Sequence, residues 1–378
     1  MASVASFLER LDWVLMLAVS ALVAYGLWAI SGITRFDVTG DPDYYVRRQA
    51  IAAGLGAVAM LAILAVPLDM LRRSWKVVYL GTIGLMLVVF ALAETVRGSR
   101  RWIDIGPLQF QPSELGKVFF VLALAGFLCD RQRSITRLGT PLAAIGLASI
   151  PMVLVFLQPD LGTALVYLSA LAAVLFLGGV RWLHLGLLGA TAVTVVVSVV
   201  WLLPAAGIEV LKPYQTARLT GFTNPSADPD DLNYNVAQST ISVGSGGLSG
   251  RGVTDATQTR LDYLPEHHTD FAFASLAEQR GFFGAAVLLL LYLLVVWRGL
   301  RIVTVAGDLF GAIVAGSIVF AFLMQTFINV GMTMGIAPVT GIPLAYVTVG
   351  GSSVIANLMA VGLLQSVHVR GVRASRRR

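Results

Sequence analysis

Ten long apolar runs constrain this chain more than any other feature, because a helix that crosses lipid consumes about 20 apolar residues. The runs cover about residues 13–33, 49–66, 77–93, 115–129, 141–157, 161–179, 183–203, 271–297, 309–330 and 343–367. The composition agrees: 57% of the 378 residues are hydrophobic and 13% charged, against about 45–50% and 25% in soluble domains. That excess fits lipid rather than a larger core. The expected fold class is an all-α polytopic membrane protein of about ten transmembrane helices. Residues 1–378 form one membrane domain, residues 204–270 a long structured extracytoplasmic loop between spans seven and eight, and residues 368–378 a basic cytoplasmic tail.

Charge orients the spans. An even number puts both termini on one side, and assigning that side to the cytoplasm gives it 15 basic residues, among them Arg72, Arg73, Arg131, Arg298 and the tail arginines, against five acidic ones. The opposite side keeps a net charge of −4. The asymmetry follows the positive-inside rule. It also explains the overall +6 without a nucleic-acid partner. The first run is about 20 residues long, whereas a secretory apolar region runs 7–15, so it reads as an uncleaved helix. A lone cysteine, Cys129, excludes an intramolecular disulfide framework and a multi-thiolate zinc site.

Polar residues beside the spans then carry the functional information. Four clusters fall on the outer side. The first runs from Gly98 through Arg101-Trp102 to Gln111-Pro-Ser-Glu-Leu-Gly-Lys117. Ser113 is a candidate N-cap, and Glu114 and Lys117 share a helix face at i,i+3, either as a local ion pair or, with Arg101, as a site for an anionic headgroup. The second, Gln158-Pro-Asp-Leu-Gly-Thr163, is a tight turn with Asp160 as a candidate N-cap.

The third cluster lies within the long loop: Arg218, Gln238-Ser239, the glycine run Gly244 to Gly252 enclosing Arg251, and Leu264-Pro-Glu-His-His-Thr-Asp-Phe271. The glycine run lacks a P-loop's spacing and its Gly-Lys-Ser/Thr ending, although exposed N–H groups there could approach a phosphate. His267 and His268 are adjacent, without the i,i+4 spacing of a helical zinc pair, and read as interfacial polar residues. Asp270 precedes an apolar helix and is either an N-cap or a partly desolvated base. Glu278, about two turns on, is a functional acid or a paired intramembrane charge. The fourth cluster, Asn329 to Gly350-Gly-Ser-Ser353, is so dense in glycine and proline that broken helices around a site are expected.

These clusters, in this order across ten spans from about residue 10 to 353, resemble the SEDS family of bacterial membrane proteins (shape, elongation, division and sporulation). The resemblance rests on Arg101-Trp102 with Gln111-Pro-Ser-Glu114, Gln158-Pro-Asp-Leu-Gly162, the glycine run, Leu264-Pro265 with Thr269-Asp-Phe271, and Gly350-Gly-Ser-Ser353. Arg10-Leu-Asp-Trp13, Arg101-Trp-Ile-Asp104 and the compact tails look more like the elongation branch, RodA, than the division branch, FtsW. Departures are Gly116 for a usual alanine, Arg251 for lysine, Gln279 where an acid often follows Glu278, and Ile342-Pro-Leu-Ala-Tyr346 for a Pro-Phe ending.

The resemblance implies a peptidoglycan glycosyltransferase of the bacterial cytoplasmic (inner) membrane, with both termini cytoplasmic. Its substrate would be lipid II and its partner a class B penicillin-binding protein transpeptidase, within membrane lipid. It maps the catalytic aspartate onto Asp270. Expected substrate-binding residues are Arg101, Glu114, Lys117, Asp160, Gln238, Ser239, Arg218, Arg251, Glu278, Ser352 and Ser353. A divalent cation, Mg or Mn, is a further candidate beside the pyrophosphate; its ligands are unassigned, and no organic cofactor is expected. The competing functions are a lipid II translocase and a noncatalytic cell-wall scaffold. A transporter places polar groups near the midplane and often shows repeats, whereas here the clusters gather on one side.

Overall fold

The computed structural model describes residues 9–93, 101–106, 108–207 and 232–375. Arg218 lies outside them. The spans are α1 (Trp13–Ile33), α2 (Tyr44–Ala65), α3 (Trp75–Leu92), α4 (Pro112–Asp130), α5 (Gly139–Leu157), α6 (Leu161–Leu177) and α7 (Trp182–Ala205). After them come α8 (Leu232–Ser245), α9 (Ala272–Val305), α10 (Leu309–Thr333) and α11 (Gly351–Ser375). Among the described residues, nine helices are long and apolar enough to cross a membrane. The tenth, α6, has 17 residues, at the short end of the spanning range. The chain is a multi-pass membrane protein.

Burial sorts the helices into layers. In α4 and α11, 83% of the apolar window is buried, against 6% in α7. The first two are therefore the centre of the bundle and α7 its periphery. On α2 the buried residues Gln49, Ala52, Gly56 and Met60 fall at helical spacing, a narrow face of mostly small or flexible side chains that seats α2 against α11. At the end opposite the four clusters, Asp12 caps α1 by accepting from Leu15 N at 3.0 Å. Its carboxylate also accepts from Arg298 of α9 at 2.6 Å, and Gln365 of α11 bonds its N–H and carbonyl, each at 2.9 Å. One buried acid thus ties three helices together.

Two features depart from the expected pattern of spans and loops. Ile103–Ile105 and Leu108–Phe110 form an antiparallel hairpin, β1 and β2, with Asp104 opposite Gln109. The region after residue 231 is largely helical: α8 packs against α9 and α10, and short helices Gly252–Asp255 and Thr257–Arg260 follow.

The glycine run serves packing rather than an open phosphate cradle. A Cβ on Gly246 would lie 2.0 Å from the Ala277 carbonyl oxygen of α9. The nearby N–H groups are also spent, Gly250 N on Gly246 O at 2.8 Å and Arg251 N on Glu278 O at 2.9 Å. Gly246→Ala should therefore lower thermal stability by about 1–3 kcal/mol. Gly244→Ala, whose Cβ would meet nothing within 4 Å, should leave it unchanged or higher. Melting of the detergent-solubilised variants compares the two.

Candidate functional site

The site is built where α10 stops and α11 has not yet begun. From Gly335 to Gly350 the chain is largely non-helical, and two amides one turn apart on α10 hold it. Asn329 Nδ2 donates to Ile342 O at 2.7 Å and to Asp270 O at 3.1 Å; Gln325 Nε2 donates to Pro343 O at 2.7 Å. Gln49 of α2 grips the other end, donating to Thr348 O at 3.0 Å and accepting from Gly350 N at 3.1 Å.

The same frame fixes the approach to α9. Three successive carbonyls are taken: His268 O by Val349 N at 3.0 Å, Thr269 O by Thr348 Oγ1 at 2.9 Å, and Asp270 O by Asn329. Helix α9 starts at Ala272 with Phe271 in the N-cap position, so Asp270 stands just outside the helix rather than capping it. Its side chain is half-buried and faces the unwound segment. Gly341 there has φ +71°, and a Cβ on it would sit 3.5 Å from Asp270 Oδ2.

A second group lies below. Lys117 Nζ donates to both Glu114 oxygens at 2.9 Å and to Gln325 Oε1 at 3.2 Å. Glu114 is 1% exposed and the Lys117 side chain 12%. They line a cleft together with Tyr346, Asn357 and apolar residues of α4, α9, α10 and α11. Gln325 therefore links the pair to the segment beside Asp270.

The third group joins the hairpin to the α5–α6 turn. Asp160 caps α6, accepting from Thr163 N at 3.0 Å, and takes a bond from Gln111 Nε2 at 2.7 Å. Arg101 Nη1 approaches it at 3.8 Å, with the guanidinium 4.2 Å from the Trp102 ring centroid. Ser352 accepts from Gln111 N at 2.8 Å and donates to Gln109 O at 3.0 Å. Ser113 does not cap α4, which starts at Pro112 after Gln111. It sits in the first turn, its carbonyl bonded by Tyr167 at 3.0 Å.

Other expected site residues are engaged elsewhere. Glu278 is 0% exposed, and its carboxylate accepts from Gln258 N, Thr259 N and Thr259 Oγ1 at 2.7–2.9 Å. It holds a loop rather than facing the cleft. Arg251 is exposed and folds back onto Ser245 O and Thr257 Oγ1. Ser239 donates to Thr333 O at 2.8 Å, Ser353 accepts from Asn357 Nδ2 at 3.2 Å, and Gln238 Oε1 is buried without a hydrogen-bond partner. With Glu114, Asp160 and Glu278 all engaged, these residues do not assemble a carboxylate set for Mg or Mn.

His267 is buried within the protein. Burial disfavours its charged form, but a hydrogen bond to Asp37 and the charges of Asp37 and Asp262 outweigh that, and its pKa moves upward. Sequence reading missed Gln49 and Gln325, and marked Asn329 only as the start of the fourth cluster. Their signal was present: amides inside apolar runs, two of them at i,i+4.

Among the described residues, ten apolar helices, nine long enough to span and one shorter, with polar groups gathered at one end define a polytopic membrane protein. The family profile described as "cell cycle protein" for FtsW, RodA and SpoVE matches residues 9–372, and the chain belongs to this SEDS family. The chain is 34% identical over 359 residues to the peptidoglycan glycosyltransferase MrdB of Escherichia coli K12, covering 95% of this chain and 94% of that one. It is 36% identical over 358 residues to stage V sporulation protein E of Bacillus subtilis, covering 93% and 94%. Among solved structures, a chain of a peptidoglycan synthase complex coordinating polymerization and crosslinking superposes with TM-score 0.78 at 32% identity, covering 95% of this chain and 97% of that one. RodA of Thermus thermophilus gives 0.66 at 28%, covering 95% and 96%.

Lys117 is locked in a buried pair, so a Lys117→Met change alone leaves Glu114 uncompensated and should cost about 3–5 kcal/mol. Adding Glu114→Gln should restore most of the stability but not activity. A melt and an activity assay on the same three proteins check both halves.

Proposed function

We propose that this chain, a peptidoglycan glycosyltransferase of the SEDS family, polymerises lipid II during cell elongation with Asp270 as its general base. The single observation that carries the reading is the fixation of three successive carbonyls, His268 to Asp270, which holds a half-buried carboxylate beside the unwound segment. A base must be held in position before its pKa matters.

In the reaction, the acceptor hydroxyl oxygen bonds to the anomeric carbon of the donor while the bond from that carbon to the lipid pyrophosphate breaks. Asp270 takes the hydroxyl proton, and the electron pair leaves with the pyrophosphate. Arg101 and Lys117 are the cations paired with the two engaged carboxylates Asp160 and Glu114, and they stabilise the negative charge that develops on the pyrophosphate as it departs. The cleft below Lys117 takes the lipid chain. No step is assigned to a divalent cation. Residues 204–270 serve as the extracytoplasmic substrate loop of one membrane domain, and 368–378 as a basic anchor at the inner face.

The protein sits in the bacterial cytoplasmic membrane with both termini inside. Its partner is a class B penicillin-binding protein, which crosslinks the strands this chain makes. The elongation assignment draws on the likeness to RodA and MrdB, although FtsW proteins are relatives at similar identity. Gathering of the polar groups at one end speaks against a translocase, which would carry them through the midplane.

Asp270→Asn should preserve folding and lower the polymerisation rate by about 10²–10⁴-fold, while Glu266→Gln stays near wild type. Purified, monodisperse variants with labelled lipid II decide it. Activity close to wild type in the Asn variant would remove Asp270 as the base; lipid flipping without strands would favour the translocase, and neither activity the scaffold.

Orientation has its own test in a Cys129-free protein. An impermeant thiol reagent on intact cells should label a cysteine at position 234 and spare one at position 131; the reverse pattern would overturn the topology.

A further inference from the structure

Three potential metal ligands meet outside the groups assigned above, where the α1–α2 connection touches the segment leading to Asp270. We propose that Asp37, His267 and His268 form a binding site for a divalent transition-metal ion, with zinc as the ion that fits the donor set. Their ligand atoms all lie within 4.8 Å of one another. His267 Nε2 is 3.0 Å from Asp37 Oδ1, and His268 Nδ1 is 3.5 Å from Asp37 Oδ2. A tetrahedral zinc centre with bonds of about 2.0–2.1 Å sets its ligands about 3.3–3.5 Å apart, and the two observed separations bracket that spacing.

The chemistry selects the ion. Two imidazoles with one carboxylate suit zinc and its neighbours, whereas magnesium and calcium take oxygen ligands. A metal-ligating histidine usually has a carboxylate or carbonyl behind its other nitrogen. Here Asp262 Oδ1 lies 3.4 Å from His267 Nδ1. Asp262 reaches this position with φ 56°, a left-handed backbone that aspartate tolerates better than most residues.

The site is also built rather than loose. The side chains of Asp37, His267 and His268 are 14%, 8% and 23% exposed. Both histidine carbonyls are fixed, His267 O by Ser275 Oγ at 3.1 Å and His268 O by Val349 N. Adjacent histidines cannot share an ion on one helix face, but here they lie in a turn, and Asp37 arrives from the far end of the sequence. The ion would tie the α1–α2 connection to the segment that carries Asp270. It would position that segment without touching the reactants.

Tag-free, chelator-treated full-length protein in detergent, dialysed against zinc chloride, should bind close to one zinc per chain. Excess magnesium should not displace it, and cobalt(II) should give the visible absorption bands of a tetrahedral site. Asp37→Asn should abolish binding, and Asp262→Asn should weaken it by about 10–100-fold with unchanged elution. Zinc uptake no greater than in Asp37→Asn, or a featureless cobalt spectrum, would overturn the proposal and leave a hydrogen-bonded His–Asp cluster. Should Asp37→Asn fail to fold, the wild-type stoichiometry and cobalt spectrum decide alone. The measurement uses no substrate, so its failure leaves the role of Asp270 standing.

Discussion

Everything about the site depends on how the protein supports a stretch of chain that is not helical between two bilayer helices. Its residues 340–348 are largely buried within the protein, where no water satisfies the backbone, and each orphaned N–H or C=O costs several kcal/mol. Gln325, Asn329 and Gln49 meet that cost with side-chain amides directed at Pro343, Ile342, Thr348 and Gly350. The same amides reach outward: Gln325 Oε1 accepts from Lys117, and the Asn329 Nδ2 group that donates to Ile342 O also donates to Asp270 O. Support of the unwound chain and placement of Lys117 and Asp270 are therefore one network.

The electrostatics follow from this frame. Glu114 and Asp160 sit in nearly dry surroundings and each is matched by donors supplied at short range, Lys117 for one and Gln111 with Arg101 for the other. Buried charge is tolerable only when so paired. Lys117 beside the cleft and Arg101 beside the hairpin thus each already have a carboxylate neighbour, and under the proposed mechanism an arriving anion would compete with that partner instead of meeting a bare charge.

Much of this was legible in the sequence. Helix count, the one-sided gathering of polar clusters and the Glu114–Lys117 pair follow from run length and the 3.6-residue period, which report on neighbours along the chain. Long-range partners are not encoded in that way. Nothing near His267 in sequence announces Asp37, and no local pattern shows that Glu278 turns toward Thr259 and not the cleft. The glycine run stayed ambiguous for a related reason. A phosphate cradle and a close helix contact both need a missing Cβ, and only the position of Ala277 separates them. Ser113 and Asp270 looked like caps because a cap is a local motif. Gln111 and Phe271 took those positions when the helices settled against their neighbours.

The bend in α9 fixes a depth. Its helical course is broken at Gly281, where φ is +65°, while Arg298 and Arg301 flank Trp297 further along, the kind of aromatic and basic grouping that marks a headgroup boundary. The stretch from Gly281 to Arg298 covers about 26 Å at about 1.5 Å per residue, close to the thickness of the hydrocarbon layer. Gly281 therefore lies near the opposite waterline. The turns between it and Asp270 rise above the acyl chains as a pedestal, so the carboxylate proposed as the base is held among headgroups, at a height measured out by the helix beneath it.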